Sequence, residues 1–130
     1  MRRKSESNEL SHCETILMKT IWRAGEDISI QDLIVRLREQ ANLDYARTTV
    51  CTFLGKMADK GYISTYRKGK NSYIHAEKKE DWYREKKVNE ETDFWFDGKP
   101  SQLMSALFSS REISGDEIEK MRKMLDELDA

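Results

Sequence analysis

The residues of this chain with chemistry to offer cluster around position 50. Short hydroxyl side chains recur there, Thr48, Thr49 and Thr52, with Tyr45 and Arg47 ahead of them and Lys56 behind; Arg67, Lys68 and Lys70 follow soon after. Small hydroxyls suit a helix that must approach base edges closely, where a threonine methyl can also meet a thymine methyl. Arg47 can reach a phosphate or a guanine edge, and the three later cations suit phosphate or minor-groove contact. Ser29, Ile30 and Gln31 read as a helix start that aims free N–H groups at a nucleic-acid backbone. Catalytic chemistry finds no such support. There is no Ser/His/Asp set, no Gly-rich phosphate loop and no metal-spaced cluster, so neither an enzyme, a metal nor a cofactor is expected.

Composition qualifies this. Lys and Arg number 23 against 24 Asp and Glu, a net charge of −1 that by itself offers no hint of a polyanionic partner. The charge is unevenly spread. Residues 45–76 hold six cations (Arg47, Lys56, Lys60, Arg67, Lys68, Lys70) against Asp59 alone, whereas residues 78–130 hold 10 basic and 14 acidic residues. The charged fraction of 36% exceeds the ordinary ~25%, yet the chain has one Pro and six Gly, a balance that favours long solvated helices over disorder. No apolar run approaches the ~20 residues of a membrane span, and the basic start MRRKSESNEL lacks the apolar stretch of a secretory signal. Cys13 and Cys51 stand far apart with no CxxC, which points to a reducing cytoplasm rather than a disulfide framework.

The elements that must position these residues follow from caps and periodicity. Three serines stand three residues before an acid: Ser11 with Glu14, Ser29 with Asp32, and Ser114 with Glu117, the signature of a helix start. Apolar staples, Ile28 with Leu33 and Ile113 with Ile118, reinforce two of them. The sequence predicts a first helix over about 11–23 and, after a short extended piece at Asp27-Ile28, a second that buries Leu33, Ile34 and Leu37 and frays near Asn42. A third over about 46–60 buries Val50, Phe53, Leu54 and Met57 and ends at Gly61. The period then falls to two, and residues 62–67 and 72–75 read as a β-hairpin around Lys68-Gly69-Lys70-Asn71. Helices over about 79–96, 100–109 and 116–128 complete the chain, the last with Ile118, Met121, Leu125 and Leu128 on one stripe.

Three helices followed by a hairpin is the element order of a winged helix-turn-helix, with the third helix in the DNA major groove and the hairpin as wing. The expected fold is therefore mainly α with a small β-hairpin wing: a winged helix-turn-helix domain over 1–77 and a helical dimerisation region over 78–130. So short a second region cannot bury its apolar faces alone, and a second copy of the chain is the simplest partner. Trp82, Phe94, Trp95, Leu103, Leu107, Ile118, Met121, Leu125 and Leu128 are its candidate contacts. Trp22, Trp82 and Trp95 read as core or dimer anchors rather than base-stacking platforms, and Cys51 as a small packing residue. An alternative reading of the same basic face is a winged-helix module that docks an acidic protein surface.

The sequence also resembles a known family. Leu10-Ser11-x-x-Glu14, Ile16-Leu17-Met18 through Ile21-Trp22 to Gly25, Arg47-Thr48-Thr49-Val50-x-Thr52-x-Leu54 and Lys60-Gly61-Tyr62-Ile63 resemble the penicillinase-repressor family, the BlaI and MecI type of regulator. Phe94-Trp95-Phe96-Asp97-Gly98 and Ile113-Ser114-x-x-Glu117-Ile118 extend the likeness to the C-terminal part. The resemblance implies a cytoplasmic homodimer on palindromic double-stranded operator DNA that represses β-lactam resistance genes. It further implies release by a membrane receptor-protease that cleaves the repressor in its helical dimerisation region. Counting back from Ile113-Ser114, the matching bond is Ala106-Leu107, where the family's best-known members carry Asn-Phe. Copper-responsive relatives have a paired-Cys motif at the C-terminus, and this chain has no Cys after Cys51. A regulator of the same type answering another signal is the alternative.

Overall fold

The structure, a computed structural model, describes residues 8–129. In chain order its elements are α1 (His12–Ala24), β1 (Ile28–Ser29), α2 (Ile30–Ala41), α3 (Arg47–Asp59), β2 (Ile63–Lys68), β3 (Asn71–Ala76), α4 (Glu80–Phe96), α5 (Pro100–Ser110) and α6 (Gly115–Asp129). This is the mainly helical winged-helix architecture expected, with a small antiparallel sheet of order β1-β3-β2. The chain divides into two compact units, one ending at Arg84 and the other beginning at Glu85, so the division falls inside α4.

In the first unit the helix starts differ in ways that matter. At α1 the capping box is complete: Ser11 Oγ accepts the Glu14 N–H at 3.2 Å and the Glu14 carboxylate accepts the Ser11 N–H at 2.8 Å. At α2 only half of it forms, because Ser29 Oγ accepts the Asp32 N–H at 3.0 Å while the Asp32 carboxylate turns to Arg36 at 3.2 Å. The α3 start has Ala46 at the cap, with no side-chain acceptor and no acid in its first turn. Its first amides are therefore left to whatever lies in front of them. At the other end of α3, Gly61 takes φ 85°, a left-handed value open to glycine, and turns the chain into β2.

The core gathers Leu17, Met18 and Ile21 of α1, Leu33, Ile34 and Leu37 of α2, Val50, Leu54 and Met57 of α3, Ile63 and Ile74 of the sheet, and the rings of Tyr62 and Tyr83. Each such aliphatic side chain contributes roughly 1.5–3 kcal/mol by leaving water. Phe53, expected among them, is half-buried at the edge, its ring 5.7 Å from that of Tyr45. The extended piece before α2 is a third strand: Ile28 pairs with Ile74 and Ser29 with Tyr73. Strand alternation puts Ile28 and Ile74 inward, while Ser64, Tyr66, Tyr73 and His75 occupy the opposite face. Between Lys68 and Asn71, which face each other across the hairpin, Gly69 at φ 67° and Lys70 form a two-residue loop with glycine first, the pattern of a type II′ turn.

In the second unit α5 and α6 bury no residue at all. The predicted start of α6 is present, with Ser114 Oγ accepting the Glu117 N–H at 3.2 Å. Pro100 opens α5, where its missing N–H would have had no helical partner. Short-range ion pairs such as Lys86–Glu90 at 2.8 Å and Arg122–Glu119 at 3.0 Å run along α4 and α6.

Candidate nucleic-acid interface

The outer face of α3 is built by what its inner face buries. With Val50, Leu54 and Met57 fixed in the core, Arg47, Thr48, Thr49, Thr52, Gly55 and Lys56 are exposed. Thr52 donates its hydroxyl to the Thr48 carbonyl at 2.9 Å, which leaves its oxygen free to accept. Tyr45 is placed differently from its neighbours. Its ring packs on Phe53 and its hydroxyl meets Cys13 Sγ at 3.3 Å, so it buttresses the entry to α3. Cys51 is exposed and Cys13 half-buried.

The wing cations Arg67, Lys68 and Lys70 are all exposed, with the Arg67 guanidinium 3.4 Å from the Lys70 carbonyl across the turn. Gln31 is exposed at the start of α2, whereas Ser29 is half-buried and uses its oxygen as the cap. Lys60, one of the six cations of this segment, points elsewhere. Its ammonium lies 2.6 Å from Glu14 Oε1 and donates to the Glu9 carbonyl at 2.8 Å. Burial works to raise the Glu14 carboxyl, but the Lys60 ammonium and the Ser11 amide outweigh it and hold the group below the ordinary carboxylate range. The exposed positive set is therefore Arg47, Lys56, Arg67, Lys68 and Lys70.

Sequence reasoning did not find the polar cluster on the outer face of the sheet. Tyr66 Oη donates to Asp27 Oδ2 at 2.7 Å, and His75 Nδ1 lies 2.9 Å from Asp27 Oδ1. The Tyr66 hydroxyl and His75 together lower the Asp27 carboxyl, and Asp27 in turn raises His75 above its ordinary value. These contacts join residues far apart in the chain, so no local pattern announces them. A surface hollow of about 370 Å³ adjoins this cluster, lined by residues including Trp22, Asp27, His75 and Lys78 but by none from α3 or the wing turn. Among the described residues no group of three His, Cys, Asp or Glu is placed to hold a metal ion, and none of the described helices is long and apolar enough to cross a membrane.

Residues 10–127 match the family model described as penicillinase repressor. The chain belongs to the penicillinase repressor family. An uncharacterized 16.5 kDa protein from Latilactobacillus sakei, encoded in the ptsI 3′ region, is 24% identical over 119 residues, covering 92% of this chain and 80% of its own. A solved structure from work on the DNA recognition and protein interaction domains of HOP2 is similar at a TM-score of 0.43 and 21% identity, over 48% of this chain and 95% of that one.

The family match takes in the C-terminal helices as well as the winged helix. There Phe94 and Trp95 are 74% and 65% exposed, their rings edge-to-face at 4.7 Å. Leu107, Leu125 and Leu128 are exposed too, whereas Leu103, Ile118 and Met121 are half-buried. Val88, Phe108 and Met124 extend this exposed apolar surface beyond the residues the sequence stripe picked out. Trp82 lies in the first unit, where its ring sits 6.0 Å from that of Tyr62 and the Lys78 ammonium lies 4.9 Å from its centroid. Ala106 and Leu107 are inside α5, half-buried and exposed respectively.

Proposed function

We propose that this member of the penicillinase repressor family is a cytoplasmic, sequence-specific transcriptional repressor that binds a palindromic operator as a homodimer. The observation that carries the reading is the exposed face of α3 and the wing: five cations, three threonines and an uncapped helix start on one segment of the chain. In this reading Thr48, Thr49 and Thr52 meet base edges. Arg47, Lys56, Arg67, Lys68 and Lys70, with the α2 start at Ser29 and Gln31, meet phosphate. Tyr45 acts by fixing where α3 begins.

The exposed aromatic and aliphatic side chains of α4, α5 and α6 supply the dimer contact. A soluble chain rarely leaves so many large apolar groups in water without a partner for them. We further propose that the regulated genes confer β-lactam resistance and that a receptor-protease releases the DNA by cutting Ala106–Leu107. That bond lies in a helix, and proteases take extended backbone, so α5 must open locally before it is cut.

The test is binding to the DNA upstream of the chain's own gene, followed across salt concentrations. Five cations from each of two protomers give a slope of log K against log salt of about −5 to −9. Protection of a short palindrome with such a slope is the expected result; a slope near zero would exclude phosphate neutralisation as the source of affinity.

A further inference from the structure

The wing is held by more than its own ladder. In the strand order β1-β3-β2, β2 pairs with β3 alone. Tyr66 of β2 nevertheless reaches past β3, its hydroxyl donating to Asp27 Oδ2 at 2.7 Å, while His75 of β3 meets the other oxygen of the same carboxylate at 2.9 Å. The register explains the reach. Tyr66 lies opposite Tyr73, with the rings stacked 5.8 Å apart, and His75 shares the Tyr73 face two residues on. Asp27 directly precedes Ile28, the partner of Ile74, and so falls beside His75. Two residues further along, Ser29 caps α2. One carboxylate thus ties both wing strands to the segment that enters α2.

We propose that Asp27 is a positioning residue for the wing: by gripping Tyr66 and His75 it sets the attitude at which Arg67, Lys68 and Lys70 meet the DNA backbone. This rests on the DNA-binding reading above. The cluster is exposed, with Tyr66 at 41% and the Asp27 and His75 side chains at 36% and 51%, and exposed ion pairs add little to fold stability. A weak restraint is nonetheless enough to set the direction of a two-stranded wing whose outer strand, β2, pairs with β3 alone. Asp27 is also an anion on the same unit as the basic face.

That sign makes the proposal testable with the full-length protein. Asp27→Ala, Asp27→Asn, Tyr66→Phe and Lys70→Ala are titrated by fluorescence anisotropy onto a random-sequence duplex of about 30 base pairs, between about 50 and 200 mM salt. Coulomb's law alone says that deleting an anion tightens binding and leaves the slope unchanged or steeper. The positioning role gives the opposite: Asp27→Ala and Tyr66→Phe bind about three- to tenfold more weakly, with a slope shallower by roughly one to two, although neither removes a cation. Asp27→Asn, which keeps an acceptor for Tyr66, restores most of the affinity. Unchanged or tighter binding by Asp27→Ala overturns the proposal. If that variant fails to fold, as judged by its thermal transition, Tyr66→Phe decides, since it deletes a single hydroxyl. Lys70→Ala separates the two levels of inference. Should it bind like the wild type, with no salt dependence in either, the DNA-binding reading fails and the proposal with it. Should it weaken binding while Asp27→Ala and Tyr66→Phe do not, only the positioning role is wrong.

Discussion

At the scale of single residues, the division of labour between reading and holding DNA can be checked at two positions. Thr52 already donates its hydroxyl to Thr48, so what it has left to offer a base is a methyl and an acceptor oxygen. Thr52→Ala should therefore narrow the gap between operator and random DNA by about 1 kcal/mol, the size of a modest base contact. Lys70→Ala should weaken both DNAs alike and reduce the salt slope by about one. Equal losses for both variants on both DNAs would show that the roles are not divided this way. The threonines and wing cations were legible in the sequence because residue type and spacing alone set them on one helix face and one turn. The Glu14–Lys60 pair was not: Glu14 read only as half of a capping box and Lys60 as one more cation, since their meeting depends on how α1 packs on α3. The Glu14 side chain is 2% exposed, and Lys60→Met would strand its charge, destabilising the fold by about 3 kcal/mol at neutral pH. The pH dependence gives a sharper check. With its folded value depressed, Glu14 adds stability that is present above the ordinary carboxylate pKa and is lost as pH falls through the folded value. Without Lys60, only the Ser11 hydrogen bonds remain to oppose burial, so the carboxyl is depressed less and the variant loses less stability in acid. The difference in thermal midpoint between wild type and Lys60→Met should shrink from pH 7 toward about pH 4; a constant difference would mean that the pair is not the cause.

At the scale of elements, helices were readable where caps and period agree. Ser11, Ser29 and Ser114 each accept the N–H expected of them, and the stripe of α2 is the buried face of α2. The strand β1 was read only as an extended piece, because two residues show no period and its pairing with β3 is a non-local event. The most telling element is α3, which lacks the side-chain cap of α1, α2 and α6; α5 lacks one too, but there Pro100 opens the helix. Ala46 offers no acceptor to the first amides of the helix, although an acid or hydroxyl there is worth about 1 kcal/mol. Left uncapped, those amides and the positive end of the helix dipole are open to a DNA phosphate, a contact additional to those of the α2 start. Ala46→Asp should then stabilise the free protein by about 0.5–1 kcal/mol in chemical denaturation while weakening DNA binding several-fold. If the same substitution raised stability and left DNA affinity untouched, the α3 start would not face phosphate.

At the scale of the whole molecule, the near-zero net charge hides two unlike parts. The segment carrying α3 and the wing is basic and exposed, whereas the residues after Lys78 are acidic and leave many of their large apolar side chains, Phe94, Trp95 and Leu128 among them, in water. The sequence could show the apolar stripe of α6 but not its occupant, because amphipathicity records that a face is to be covered and is silent about what covers it. If the occupant is a second copy, affinity for a palindrome comes from linking two weak half-site contacts at high effective concentration, and loss of the C-terminal helices removes that gain without touching the reading face. The fragment to compare is the one ending at Arg84, since the core includes Tyr83 and the Trp22 indole donates to the Lys78 carbonyl at 2.8 Å. A fragment stopping at residue 77 would lose both and confuse folding with assembly. The fragment ending at Arg84 should sediment as a monomer and bind the operator at least about a hundredfold more weakly than the full chain. Its affinity for a single half-site should match that of the full chain to within a few-fold. Leu125→Asp in the intact protein should reproduce the same pattern by placing a charge on the exposed α6 stripe. A monomeric fragment that held the full operator as tightly as the intact protein would show that the reading head needs no partner, and the exposed faces of α4 to α6 would then have to serve something other than DNA affinity.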